Sequence, residues 1–230
     1  MAVTNVVLVH GAWVDGSGWK GVYDRLIAAN LRVSIVQVPE TSFADDVAAV
    51  KRMIAVQDGP AILVGHSYGG ALITEAGVDA KVAGLVYVAA HAPDVGENEA
   101  ALGKATPAAL GQTAGARVTT ADGFVYLTDE AFLTLFAPDV PPDVAQFMAR
   151  SQVMPRADVF SAPMTVAAWR SKPSWGIVAG ADQVISPDLE RWYYQRAKSR
   201  MTEIAGASHA VFVSHPAEVA AVIIEAASQL

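Results

Sequence analysis

Short apolar runs alternate with longer segments of helical periodicity along the first ninety residues. Val6-Val7-Leu8-Val9 is a continuous apolar run stopped by Gly11, which predicts a strand buried on both faces. Residues 18–29 place Val22, Leu26 and Ala29 on one helical face. Residues 33–38 read as the next strand, ended by Pro39. Residues 43–56 carry Val47, Val50 and Ile54 at helical spacing, with Asp45 and Asp46 near the positive helix start. A third strand is predicted at 61–65, a third helix at 68–78 and a fourth strand at 82–90. Short links and right-handed crossovers then require a parallel sheet with helices on both faces.

The alternation stops at Ala92. Residues 92–172 hold more than half of the twelve prolines and no long apolar strand. Segments 117–120 and 124–127 flank Asp122-Gly123, a hairpin signal, and 129–136 and 143–154 read as short helices. Regular alternation returns with a strand at 174–179, a helix at 187–197, a strand at 201–205 and a helix at 216–227. The pattern divides the chain into a core, 1–91 with 173–230, and an insertion, 92–172. The insertion is rich in aromatic and apolar residues, including Phe124, Phe136 and Met154, so it is expected to pack on something. We read it as a cap over the carboxyl ends of the strands, where open α/β sheets bind ligands. Those three residues are candidates for the pocket wall.

Composition narrows the functions open to this fold. The chain has 230 residues, 53% of them hydrophobic, and a formal net charge of −7. That length suits one domain with an insertion. No Lys/Arg-rich run appears, which disfavours nucleic acid and anionic membranes as partners. There are no cysteines, hence no disulfide, no thiolate nucleophile and no Cys-ligated metal. No apolar run approaches the roughly 20 residues that span a bilayer, and a cytoplasmic protein is expected. No metal-ligand pattern is present, and no metal or cofactor is expected. Gly16-Ser17-Gly18 lacks the Lys-Ser/Thr of a phosphate loop and reads as a turn, with Ser17 capping the next helix. A homodimer is left open.

The strongest chemical signal is Gly65-His66-Ser67-Tyr68-Gly69 between a predicted strand and a predicted helix. It matches G-x-S-x-G, in which a sharp turn lifts the serine oxygen clear at a helix N-terminus. Ser67 is the candidate nucleophile. Its hydroxyl needs a base, and there are five histidines. His66 adjoins the nucleophile and suits core packing. His10 suits bracing of the turn after the first strand, and His215 the start of the last helix. His91 ends the fourth strand and is a candidate pocket residue. His209 lies in the loop between the last strand and last helix, at the edge where a base can reach Ser67. Asp182, just past the strand at 174–179, is the candidate to orient that imidazole. Asp94 and Asp188 suit turn and helix-cap roles better. The oxyanion donors are expected from the Tyr68 amide and, from the loop after the first strand, the Ala12 amide. Trp13 is placed to wall the pocket.

These residues resemble the α/β-hydrolase fold family, and more narrowly its small members related to plant methyl esterases and hydroxynitrile lyases. Leu8-Val9-His10-Gly11-Ala12-Trp13, the Ser67 motif with Gly70, Ala92-Pro93-Asp94, Asp182 and His209 occur in the family's order. The resemblance implies a mainly parallel sheet of about six strands, a mostly helical cap with a small hairpin, and acyl-enzyme chemistry without a cofactor. Two departures count against cyanohydrin cleavage. Ala210 follows His209 where the lyases carry a lysine, and Gly11 stands where they carry a hydroxyl residue. The plant esterases also have a histidine soon after His-Gly-Ala, where this chain runs Trp13-Val14-Asp15-Gly16.

The expected activity is hydrolysis of a small to medium neutral carboxylic ester, since no cationic clamp is evident in the cap. A C–C lyase, perhydrolase or amidase on the same fold is the alternative, as is a hydrolase-like small-molecule receptor.

Overall fold

A computed structural model describes residues 3–230. Six parallel strands form the central sheet: β1 (Asn5–Val9), β2 (Arg32–Val36), β3 (Ala61–His66), β4 (Val82–Val88), then β7 (Ser174–Ala179) and β8 (Arg200–Ile204). Their order is β2-β1-β3-β4-β7-β8, and β5 (Arg117–Thr119) and β6 (Val125–Leu127) make a separate antiparallel hairpin. β1, β3 and β7 are buried along their whole length, as their unbroken apolar runs require. Of the two edge strands, β8 is largely open to solvent and β2 half-buried, and they carry Arg32, Arg200 and Glu203, which discourage pairing with another sheet.

Helices follow the predicted periodicity at α1 (Lys20–Ala28), α2 (Phe43–Ala55), α3 (Gly69–Ala76) and, late in the chain, α8 (Pro187–Arg196) and α10 (Pro216–Gln229). The start of α2 is fixed by Ser42, whose side chain accepts from the Asp45 amide. Ser17 is not the cap of the segment after Gly16. Asp15 takes that role, accepting from the Ser17 amide at 2.7 Å. A carboxylate two residues back reaches that amide, so the serine hydroxyl is not needed.

Residues 92–172 contribute no strand to the six-stranded sheet. They form α4 (Glu99–Ala105), α5 (Ala109–Gln112), the hairpin, α6 (Asp129–Ala131) and α7 (Pro142–Arg150), with short 3-10 turns after it. α4 and α5 lack a long apolar stripe, so periodicity did not reveal them. The predicted helix at 129–136 widens into a π-turn at Phe132–Phe136. The chain ends with α9 (Val211–Ser214) and α10 (Pro216–Gln229).

Chain order locates the site before any side chain is considered. From β1 the chain moves outward to β2, then returns across β1 to β3. The loops after β1 and β3 therefore leave the sheet in opposite directions. The crevice between them is the topological switch point where open α/β sheets hold ligands. Val9 at the end of β1 pairs in register with Gly65 near the end of β3.

Candidate active site

Ser67 occupies the turn between β3 and α3 with φ 53°. A non-glycine residue there carries local strain, held in place by its surroundings. The Ser67 amide donates to Val88 O at 3.3 Å, and the His91 amide donates to Ser67 O at 3.2 Å, so both flanks are tied to the end of β4. Tyr194 of α8 secures that end, donating to Ala90 O at 3.0 Å and accepting from the Ala90 amide at 2.8 Å. The turn is possible only because Gly69 has no side chain. A Cβ there would lie 2.7 Å from the carbonyl oxygens of Val9 and His10. Gly11 is under the same constraint, since its Cβ would meet the Ser67 Cβ at 2.5 Å.

Ser67, His209 and Asp182 come together from three loops. Ser67 Oγ lies 2.8 Å from His209 Nε2, and His209 Nδ1 lies 2.5 Å from Asp182 Oδ2. His209 is fully buried and Asp182 is 5% exposed. The second oxygen of Asp182 accepts from the amides of Val184 at 2.7 Å and Ile185 at 3.0 Å, which fixes the carboxylate plane. Behind it Glu190 accepts from the Ala179 amide at 2.9 Å. Burial, reinforced by the Asp182 charge, pushes the Glu190 carboxyl well above the usual range. Burial there favours the protonated form of Glu190.

The His209 loop is braced by residues that sequence reasoning missed. The Phe136 ring stands edge-on to the His209 ring, with centroids 4.9 Å apart, and Phe136 O accepts from the Ala210 amide at 3.1 Å. Asp139 accepts from the Ser208 amide at 2.9 Å and from the Ser208 hydroxyl. From the other side His66 donates through Nε2 to His209 O at 2.9 Å. Burial, with His209 nearby, holds His66 well below the usual histidine range, so it is a neutral brace within the core. His10 acts similarly after β1: its Nδ1 is 3.0 Å from Gly11 O, and its Nε2 accepts from the Val38 amide at 2.9 Å. His215 contacts Ser214 Oγ at 2.9 Å, at the start of α10. Asp94 pairs with Arg170, and Asp188 with Arg191, away from His209.

The amides of Ala12 and Tyr68 donate to no acceptor among the described residues, although both residues are about 1% exposed. Buried unpaired N–H groups are rare and call for an explanation. The Tyr68 side chain is anchored away from the site, its hydroxyl donating to Asp46 Oδ2 at 2.7 Å. Asp46 Oδ1 accepts from the Glu40 amide at 2.7 Å. Burial pushes Asp46 up to about 6, and it pushes Glu40 well above the usual range, helped by the Asp46 charge. This buried pair was not foreseen. Asp46 was read only as a helix-start acid, because its reach to Tyr68 is a contact between α2 and the turn after β3.

Asp46 has a measurable consequence. A carboxyl raised on folding holds its proton more tightly in the native chain than in the unfolded one. Its contribution to stability is complete below the ordinary value of 3.8 and is lost as pH rises through about 6. That difference corresponds to about 3 kcal/mol. Asp46→Asn can still accept from the Glu40 amide through its oxygen and can donate to the Tyr68 hydroxyl oxygen through its NH2, and it cannot titrate. Urea unfolding at pH values from 4 to 7 is expected to show a steeper fall of stability for the parent than for the variant. Parallel curves would contradict the assignment.

Ser67 opens into a cavity of about 640 Å³. Trp13 and His91 line it, together with Glu99, Leu110, Val125 and Phe160. Trp13, at φ 66°, donates to Val125 O at 3.2 Å and so ties the loop after β1 to the hairpin. The other three pocket candidates lie elsewhere. Phe124 packs beneath the Arg156 guanidinium, 5.9 Å from its ring centroid. Phe136 is fully buried, stacked on Phe132 with centroids 4.6 Å apart, and supports His209 from outside the cavity. Met154 is 43% exposed on the surface. Apolar character alone does not say which side of a cap a residue faces. Residues 92–172 also supply two exposed cations to the cavity, Lys104 and Arg117, which the sequence pattern does not mark.

A parallel sheet with a strained serine in a strand–turn–helix, next to a buried imidazole and carboxylate, defines the α/β-hydrolase class. The chain belongs to the alpha/beta hydrolase family, whose model matches residues 6–222. It is 26% identical, over a 261-residue alignment, to an esterase of rice, PIR7B (Oryza sativa subsp. japonica), covering 96% of this chain and 93% of that protein. Among solved structures it is similar to a pyrethroid hydrolase from Sphingobium faniae JZ-2. That match has a TM-score of 0.79 and 23% identity, covering 98% of this chain and 97% of the other. A methylesterase from Arabidopsis, MES16, superposes with a TM-score of 0.81 at 19% identity, covering 99% and 100%. Among the described residues no helix is long and apolar enough to cross a membrane.

Proposed function

We propose that this protein is a carboxylic ester hydrolase in which Ser67 attacks the acyl carbon. The observation that carries the reading is the unbroken chain from Ser67 Oγ to His209 Nε2 at 2.8 Å and from His209 Nδ1 to Asp182 at 2.5 Å. His209 takes the hydroxyl proton as Ser67 forms a bond to the carbonyl carbon. Asp182 holds the imidazole with its proton on Nδ1 and stabilises the cation that forms. The carbonyl oxygen, now an alkoxide, receives the unpaired amides of Ala12 and Tyr68. His209 then protonates the leaving alcohol. Water, activated by the same base, releases the acid and restores Ser67. The rice relative, itself an esterase, supports this reaction class.

The cavity's size suits a small to medium ester. Residues 92–172 are the cap: they supply Val125, Phe160 and Leu110 to its wall. The apolar lining residues Leu110, Val125 and Phe160 favour an uncharged acyl group. A fluorophosphonate probe tests the reading directly. Stoichiometric labelling at Ser67, located by peptide mass, together with hydrolysis of simple esters is the expected result. An unlabelled Ser67 in folded protein would mean a receptor rather than an enzyme.

A further inference from the structure

One cavity residue has no part in the ester chemistry and carries a buried side-chain oxygen that no group in the fold pairs with. Glu99 is the first residue of α4, whose start is fixed by Asn98 accepting from the Ala101 amide at 2.9 Å. It lines the same cavity as Ser67, yet it is only 7% exposed. Its Oε1 has no hydrogen-bond partner, and its Oε2 lies 3.6 Å from His91 Nε2. His91 is held in turn. Its Nδ1 is 3.1 Å from the Tyr193 hydroxyl, and its amide donates to the Ser67 carbonyl oxygen. The unpaired carboxyl is thus connected to the nucleophile's backbone through a single residue.

Resting on the ester-hydrolase reading, we propose that Glu99, backed by His91 and Tyr193, is a specificity-determining residue that selects esters bearing a hydroxyl group. Burial pushes the Glu99 carboxyl well above the usual range, which favours its protonated form, and takes His91 down to about 3, so the imidazole is neutral near pH 7. A neutral carboxyl offers one O–H donor and one C=O acceptor. A substrate hydroxyl answers both with one group and requires no proton to leave the site. A substrate ammonium would require Glu99 to ionise first, against its burial. Leaving a buried polar group unpaired is costly, so an ester without the hydroxyl is penalised relative to one that has it. The same penalty explains how the site discriminates without contributing to bond cleavage.

The test uses matched pairs: methyl butanoate against methyl 2-hydroxybutanoate and methyl 3-hydroxybutanoate, with methyl 3-aminobutanoate as the charged control. The parent is expected to favour at least one hydroxy ester by about 10-fold or more in kcat/KM. Glu99→Leu is expected to bring that ratio close to one. Glu99→Gln, whose amide both donates and accepts, is expected to retain most of it. Binding of the same esters to Ser67→Ala, with and without Glu99→Leu, is measured by calorimetry, so the preference can be read without turnover. If no ester is cleaved but Ser67→Ala still prefers the hydroxy ester, the hydrolase reading fails and the Glu99 assignment stands. A parent that treats the pairs alike, a Glu99→Leu variant that keeps the preference, or a stronger preference for the amino ester would each overturn the assignment. Should Glu99→Leu not fold, the parent ratios alone decide.

Discussion

Ser67→Ala is expected to lower ester turnover by about 10⁴–10⁶-fold while leaving the fold intact. The substitution removes one oxygen and no packing surface of consequence. The turn itself is held by backbone bonds, from Ser67 N to Val88 O and from His91 N to Ser67 O, and alanine makes both. Alanine also inherits the φ of 53°, so the local strain is neither added nor relieved. The unpaired Ala12 and Tyr68 amides remain, and so do the cavity and Glu99. Residual activity should therefore reflect binding and oxyanion stabilisation alone. Steady-state kinetics on a simple ester, beside thermal unfolding of both proteins, checks the expectation. Turnover within about tenfold of the parent, from a preparation free of other esterases, would exclude Ser67 as nucleophile.

Asp182→Asn should cost nearly as much, about 10⁴-fold in kcat, for a different reason. The shape of the site is kept, since an amide oxygen can still accept from Val184 and Ile185 as Asp182 Oδ1 does. The amide nitrogen would then face His209 Nδ1 and donate to it. That moves the imidazole proton to Nε2, the atom 2.8 Å from Ser67 Oγ. An Nε2–H cannot accept the hydroxyl proton, and the base is lost through its tautomer rather than its position. Fluorophosphonate labelling should slow in parallel with turnover, with unchanged thermal stability. A modest effect on both would show that Asp182 is not the group that sets the imidazole's orientation.

The edge of the sheet where these residues meet was legible from local patterns. The apolar runs before Gly11 and Gly65, and the helical spacing after them, are short-range features that depend on nearest neighbours. The G-x-S-x-G turn is local too, because close approach at Gly69 is a demand the backbone places on single positions. His209 and Asp182 could be named because each follows a recognisable strand near the carboxyl edge. The pocket was not legible to the same degree. Phe124, Phe136 and Met154 share their apolar character with Phe160 and Leu110. Only the packing of residues 92–172 decides which of these five line the cavity.

The buried acids show the same division more sharply. Asp46, Glu99 and Glu190 each begin or follow a helix start, where an acidic residue is ordinary. Nothing in their neighbours along the chain marks them as buried. Their altered protonation arises when α2, α4 and α8 close against the turn after β3, the cavity and the Asp182 loop. Periodicity and turn chemistry, carried by adjacent residues, therefore set the strands, the helices and the serine's strained turn in this protein. The 2.8 Å approach of His209 to Ser67, the unpaired Glu99 carboxyl and the cavity's facing residues belong to tertiary structure. They join groups as distant along the chain as Ser67 and His209, 142 positions apart, and desolvation acts only once those groups have met.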